Sequence, residues 1–186
     1  GISFTRPANF GKQNAEHLPI QSKLGRQYNK LSSRWNEDKF DASMAKYYQL
    51  IYGIDIAVGM ILDELEKQEI ADNTIVIYSS DQGWYLGEHG WFDKRWMYDE
   101  SMKMPFVIKW PEVIKPGSID EHLIQNIDYA ATFLDMAGAD IPADIQGDSL
   151  MPLLKGEDTD GWRSSLYYHY YEYPSVHMAK RHYGIV

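Results

Sequence analysis

The chain has 186 residues, enough for one ordinary domain or a piece of a larger one. Its 44% apolar residues can build a core, and its formal net charge of -9 argues against general binding to nucleic acid or a membrane surface. No cysteine is present, which excludes disulfides, zinc–thiolate sites and a cysteine nucleophile within these residues; no apolar run reaches the roughly 18 residues of a transmembrane helix.

The chain starts at Gly1 rather than Met, which reads as a boundary inside a longer protein, so a missing signal peptide says little about the parent. Residues 1–40 scatter Gly, Pro, Asn, Gln and Lys without a sustained period and read as an irregular lead-in, with a mixed-charge approach to a helix from Arg34 to Lys39. Asp41 is placed to cap that helix. From Ala42 to about Gln68, Tyr47, Ile51, Ile54, Val58, Ile61 and Leu65 recur at steps of four and three, a helical stripe expected to face a core. Gly53 and Gly59 interrupt it where a close backbone approach would explain them.

After the turn Ala71-Asp72-Asn73, Thr74 to Tyr78 is a short β-branched run that predicts a buried strand. It stops at Ser79-Ser80-Asp81-Gln82-Gly83, putting oxygen donors past the strand's carboxyl end, where open α/β sheets bind ligands. An aromatic loop follows. Met97 to Met102 predicts a short helix and Pro105 to Trp110 a second strand. Gln125 to Ala137 predicts a helix with Ile127, Ala130, Leu134 and Ala137 on one side, stopped by Gly138. Ser149 to Leu154 reads as a helical turn before Gly156, Leu166 to Tyr173 as an aromatic strand, and Lys180 to Val186 as the start of another. Strands alternating with helices point to an α/β layered sheet. Fourteen tyrosines and six tryptophans are many for this length; core packing accounts for them better than sugar-stacking surfaces do.

Asp81 and Gln82 pair a carboxylate with an amide carbonyl, hard donors suited to calcium or magnesium rather than zinc. Gly83 permits a tight turn behind them, and on spacing alone a simple turn is the competing reading. Lys94 could meet an anionic ester oxygen, or pair on the surface with Asp93 or Glu88; Arg95 has the same two readings. His89, in Gly87-Glu88-His89-Gly90, could be a proton donor, a substrate contact or a loop brace. His17, His122, His169, His177 and His182 show no paired metal-ligand spacing.

Taken together, several segments in order resemble the type I sulfatases of the alkaline-phosphatase superfamily: Ala71 to Gly83, Leu86-Gly-Glu-His-Gly90, Phe92-Asp-Lys-Arg95, Met104-Pro-Phe-Val-Ile108 and Gln146-Gly-Asp-Ser-Leu-Met-Pro-Leu-Leu-Lys-Gly156. The resemblance covers about Ala42 to Val186 and is nearest to carbohydrate sulfatases of the N-acetylglucosamine-6-sulfatase type. It implies a fold, an incomplete α/β alkaline-phosphatase-like layered sheet flanked by helices, with residues 41–186 as the C-terminal part of a catalytic domain. It implies that Asp81 and Gln82 ligate a single calcium, that Lys94 binds sulfate oxygens, and that Trp84, Tyr85 and His89 approach the leaving alcohol. The implied substrate is a sulfated sugar or glycan, and the implied location is periplasmic or extracellular.

The family's nucleophile is a formylglycine made within a Cys/Ser-x-Pro/Ala-x-Arg motif, and these residues contain no such motif. The formylglycine and the remaining calcium ligands are therefore expected in a missing N-terminal half. A phosphodiesterase or phosphonate hydrolase of the same superfamily, or a non-catalytic binding domain, are the alternatives.

Overall fold

A computed structural model describes residues 2–11, 16, 18–26 and 37–186. His17 and the segment Arg34 to Asn36 lie outside the described residues, as does much of the lead-in. Among the described residues the elements are α1 (Ile20–Lys23), α2 (Glu37–Lys67), β1 (Val76–Ser79), β2 (Tyr85–Leu86), β3 (Phe92–Asp93), α3 (Asp99–Met102), β4 (Phe106–Lys109), α4 (Asp128–Met136), α5 (Met151–Lys155), β5 (Tyr167–Tyr170) and β6 (His182–Ile185). The architecture is mixed, helices with three two-stranded sheets: β1 with β4, β2 with β3, and β5 with β6. The chain forms two compact units, one of Gly1–Ala71, Gln82–Pro105 and His169–Gly184, the other of Asp72–Asp81, Phe106–Tyr168 and Ile185–Val186.

In the first unit α2 begins at Glu37, four residues before the predicted cap. Glu37 and Asp38 in its first turn and Lys67 in its last complement the helix dipole. Asp41 is therefore inside the helix. Its carboxylate accepts the Phe4 amide at 2.9 Å and Arg6 Nη1 at 2.8 Å, tying the lead-in to α2. Those bonds, the amide first, hold the Asp41 carboxyl below its usual range. The helix closes with Glu69 in the left-handed region (φ 58°) and the Ile70 amide bonded back to the Leu65 carbonyl.

The predicted core stripe of α2 is corrected. Ile51, Ile54 and Ile61 are 42%, 47% and 59% exposed, and the buried residues of the helix are Phe40 and Met44. A Cβ at Gly53 or Gly59 would meet nothing, so no close approach explains them. The helical period is right, but the described residues do not cover that face.

Two clusters make the core of this unit. Phe10, Phe40 and Met44 form one, with Phe4 and Leu86 packed on it. Leu18, Tyr85, Trp91, Trp96 and Ala179 form the other, with Tyr98 and Tyr170 against it. The aromatic richness is thus mainly packing here. Gly87 (φ 114°) lies under the Phe10 ring, which an added Cβ would meet at 2.4 Å.

In the second unit β1 pairs antiparallel with β4, Val76 opposite Lys109 and Ser79 opposite Phe106. Tyr129 of α4 anchors this ladder's end, bonding Ser79 Oγ at 2.8 Å and stacking on Phe106. The predicted face of α4 is also corrected. Ile127 is exposed, while Asp128, Ala131 and Thr132 are buried.

The reason is a polar clamp. Asp128 is fully buried. Its carboxylate takes a two-pronged bond from Arg163 at 2.6 and 2.8 Å and accepts the Gln125 and Asp148 amides at 2.7 and 3.0 Å. Arg163 also pairs with Asp148. A buried charge with that many donors is compensated. Gly147 lies so close that a Cβ would fall 2.1 Å from the Ile127 carbonyl oxygen. Gly138 and Gly156 end α4 and α5 in the left-handed region as predicted.

Candidate active-site segment

Asp81 closes the β1 segment of the second unit and is exposed. Its carbonyl oxygen accepts Asn126 Nδ2 at 3.5 Å, and Ser80 Oγ lies 3.5 Å from its carboxylate. A solvent-facing carboxylate on a strand end held by its neighbours is chemically able to take a hard cation. Gln82, half-buried, opens the next segment of the first unit. Among the described residues no group of three or more His, Cys, Asp or Glu could hold a metal ion.

Gly83 is corrected in its reason, not its place. Its φ is not positive; instead its amide bonds the Ser101 carbonyl at 2.9 Å, and a Cβ would lie 2.2 Å from the Glu100 carbonyl oxygen and 2.5 Å from that of Lys103. Only glycine lets the strand exit lie against α3.

The aromatic loop contains a hairpin that the sequence did not show. β2 and β3 pair antiparallel, Tyr85 opposite Asp93 and Leu86 opposite Phe92. At its end and just past it, Asp93 and Arg95 both have left-handed backbones, with φ of 92° and 104°, on either side of Lys94. Such non-glycine conformations cost of order 1–3 kcal/mol each and persist only where surroundings enforce them. Here the Asp93 carboxylate pairs with Arg95, and the Arg95 amide donates to Ser101 Oγ at 3.1 Å. Lys94 is half-buried, with its ammonium 5.3 Å from the centroid of the Trp84 ring. Trp84 in turn meets the Phe92 edge at 5.3 Å. Lys94 and Trp84 are thus brought together.

Tyr85 is not. It is fully buried and its hydroxyl donates to the Trp96 carbonyl at 2.9 Å. The expected contact with a leaving group is corrected to a core role, because the strand's alternation turns Tyr85 inward beside Trp91. His89 is braced. Its Nδ1 accepts Asn9 Nδ2 at 3.2 Å and its Nε2 faces Glu100 Oε2 at 3.4 Å, with the Tyr98 ring 4.5 Å away.

Sequence spacing gave no sign of a cluster behind Arg95. Arg95 Nη2 donates to His177 Nε2 at 2.6 Å, across 82 residues of chain. His177 Nδ1 lies 2.8 Å from Glu172 Oε1. Glu172 also accepts Ser175 Oγ at 2.6 Å and Tyr170 Oη at 2.7 Å. These donors, Ser175 first, draw the Glu172 carboxyl down to about 2, while burial pushes the Tyr170 phenol up. His177 had stood out only as one scattered histidine among six.

Residues 87–186 match the family described as N-sulphoglucosamine sulphohydrolase, C-terminal. Over 149 residues the chain is 50% identical to an N-acetylglucosamine-6-O-sulfatase of Bacteroides thetaiotaomicron, covering 79% of this chain and 27% of that protein. A solved structure in complex with its substrate, D-glucosamine-2-N,6-O-disulfate, matches with a TM-score of 0.70 at 51% identity, over 73% of this chain and 28% of that one. A phosphonate monoester hydrolase from Silicibacter pomeroyi matches with a TM-score of 0.60 at 31% identity, over 62% of this chain and 23% of that one. The matched family and the order of segments define a sulfatase-type chain, and it belongs to the N-sulphoglucosamine sulphohydrolase C-terminal family. It spans about a quarter of the length of these relatives.

Proposed function

We propose that the parent of this chain is a sulfuric ester hydrolase acting on a sulfated amino sugar, of the glucosamine 6-O-sulfate class, and that this chain contributes the cationic side of the sulfate site within an alkaline-phosphatase-like layered sheet. The observation that carries the reading is Lys94, fixed between two left-handed residues with its ammonium over Trp84, in a chain of this family. A compact ammonium held in a half-buried place interacts with a tetrahedral anion more strongly than it would in water. As the bond to the leaving oxygen breaks, charge on the sulfuryl oxygens redistributes, and a cation already in place stabilises it without reorganisation.

Asp81 and Gln82 are assigned as two oxygen ligands of a calcium ion, which would supply further positive charge at the ester oxygens when bound. Hard, uncharged and anionic oxygen donors suit calcium; magnesium is less favoured, and the remaining ligands lie elsewhere in the parent. No atom of this chain is assigned as the nucleophile. In the same reading that atom belongs to a formylglycine elsewhere in the parent, and the enzyme works in the periplasm or outside the cell.

Trp84, partly exposed beside Lys94, is the substrate contact of the loop. His89 acts as its brace through Asn9 and Glu100; as a proton donor it would have to exchange one of those partners for the leaving oxygen. His89→Gln separates the two. A brace keeps kcat within a few fold, whereas loss of a general acid costs roughly 10²–10⁴-fold.

The second reading is phosphonate ester hydrolysis, favoured by the structural match to a phosphonate monoester hydrolase. Release of inorganic sulfate from glucosamine 6-O-sulfate by the intact parent, measured against hydrolysis of a phosphonate monoester, decides between them. A parent that cleaves only the phosphonate rejects the sulfatase reading.

A further inference from the structure

The approach to α4 carries one side chain that holds the turn in place and two that reach β1. Asp128 opens the helix and is fully buried. Its carboxylate accepts the Gln125 amide at 2.7 Å, which closes the turn 125–128 on itself, and the Asp148 amide at 3.0 Å. Arg163 supplies the opposite charge through two nitrogens, at 2.6 and 2.8 Å, with its side chain 15% exposed. Gly147 packs against the same turn, where a Cβ would lie 2.5 Å from the Ile127 carbonyl carbon. One turn further along α4, Thr132 Oγ1 accepts the Leu150 amide at 2.9 Å. A buried polar network satisfied to this degree rigidifies the backbone that carries it.

The two side chains that leave this rigid turn for β1 are Tyr129 and Asn126. Tyr129 Oη and Ser79 Oγ are hydrogen-bonded at 2.8 Å, and the Tyr129 ring stacks on Phe106 at 5.3 Å. Ser79 and Phe106 are the facing pair at the end of the β1–β4 ladder, so one side chain holds both strands at their last rung. Asn126 Nδ2 donates to the Asp81 carbonyl oxygen at 3.5 Å, beyond that rung. The exit of β1 is thus caught twice, two residues before Asp81 and at Asp81 itself. The Asp81 carboxylate is exposed, and its direction follows from the backbone that these two contacts fix.

We propose that Tyr129 and Asn126 are positioning residues: standing on the Asp128–Arg163 clamp, they hold the exit of β1 so that the Asp81 carboxylate is already set for a calcium ion. What Asp81 does there rests on the ligand reading above; the hold on the strand exit does not. An exit left loose would have to be ordered when the ion binds, and the entropy of that ordering lowers the affinity. Groups that orient a metal ligand without touching the metal typically change its affinity 10–100-fold.

The test uses the intact parent as wild type, Tyr129→Phe, Asn126→Ala and Asp81→Ala. Y129F keeps the ring on Phe106 and removes the hydroxyl, so the ladder stays packed. Titration calorimetry with calcium should show binding weakened about tenfold in Y129F and in N126A. Sulfate release by both should recover in excess calcium, which a general folding defect would not allow. Against an Asp81→Ala control that loses the ion, Y129F binding calcium as tightly as wild type overturns the proposal, and so does lost turnover that excess calcium fails to restore.

Hydrogen exchange in the calcium-free parent separates the hold from the ligand. Peptides spanning residues 76–82 should exchange faster in Y129F than in wild type. Wild-type exchange there overturns the hold itself. Faster exchange in Y129F, together with an Asp81→Ala parent that binds calcium as wild type does, upholds the hold and rejects the ligand reading.

Discussion

Lys94 shows how much a single residue's role depends on its neighbours. In the sequence it is a lysine between an aspartate and an arginine, which suggests a surface ion pair. In the structure Asp93 is committed to Arg95, and the Lys94 ammonium stands over Trp84. Lys94→Ala in the parent should lower kcat/KM for a sulfated sugar by 10²-fold or more, with thermal unfolding little changed. Lys94→Arg should rescue poorly, because a planar fork does not replace a point charge. Steady-state sulfate release checks both. Gly83 is the opposite case, a residue whose place was legible but whose reason was not. Gly83→Ala drives a Cβ into two backbone carbonyls, and should destabilise the parent by about 1–3 kcal/mol in urea unfolding. Glu172 carries a pH signature. Its carboxyl falls from 4.5 to about 2 on folding. The stability it contributes is therefore complete above about pH 4.5 and is lost as pH falls toward 2. Glu172→Gln should flatten the acid-unfolding profile in that window, read by circular dichroism.

Elements were legible where period or punctuation was strong. The strand ending at Ser79, partly exposed rather than buried as expected, the helix stops at Gly138 and Gly156 and the strand at Phe106 follow from apolar runs and left-handed glycines. The β2–β3 hairpin was not legible, because two-residue strands leave no alternation to detect. The buried face of α4 was misread for a different reason. Periodicity marks apolar residues, but here a fully buried carboxylate sets the face, and its partners Asp148 and Arg163 are 20 and 35 residues away. Arg163→Ala should expose the worth of that clamp. It leaves Asp128 buried without its cationic partner, held among the described residues by the Gln125 and Asp148 amides alone, and such losses cost about 3–5 kcal/mol. Chemical denaturation of the parent measures it.

At the scale of the molecule, the apolar face of α2 is the plainest feature. Ile51, Ile54 and Ile61, which share one side of the helix, are 42%, 47% and 59% exposed, and Leu50 beside them is 69%. A contiguous exposed apolar face of this kind in water favours association. The 186 residues produced alone should bind a hydrophobic dye and self-associate in sedimentation, whereas the intact parent should do neither. Among the described residues no helix is long and apolar enough to cross a membrane, so this face is not a spanning segment.

Local chemistry decided what the sequence could state by itself. Strand ends, helix stops, the oxygen-donor pair after β1 and the order of segments depend on residues within a turn or two of each other, and those segments carried the family. The tertiary structure decided what depends on distant partners. Tyr85 turned from contact to core, α4 turned its carboxylate inward, and His177 came to Arg95 from 82 residues away. Hydrogen-bond donors and acceptors pair by position in space, and spacing along a chain carries no record of that.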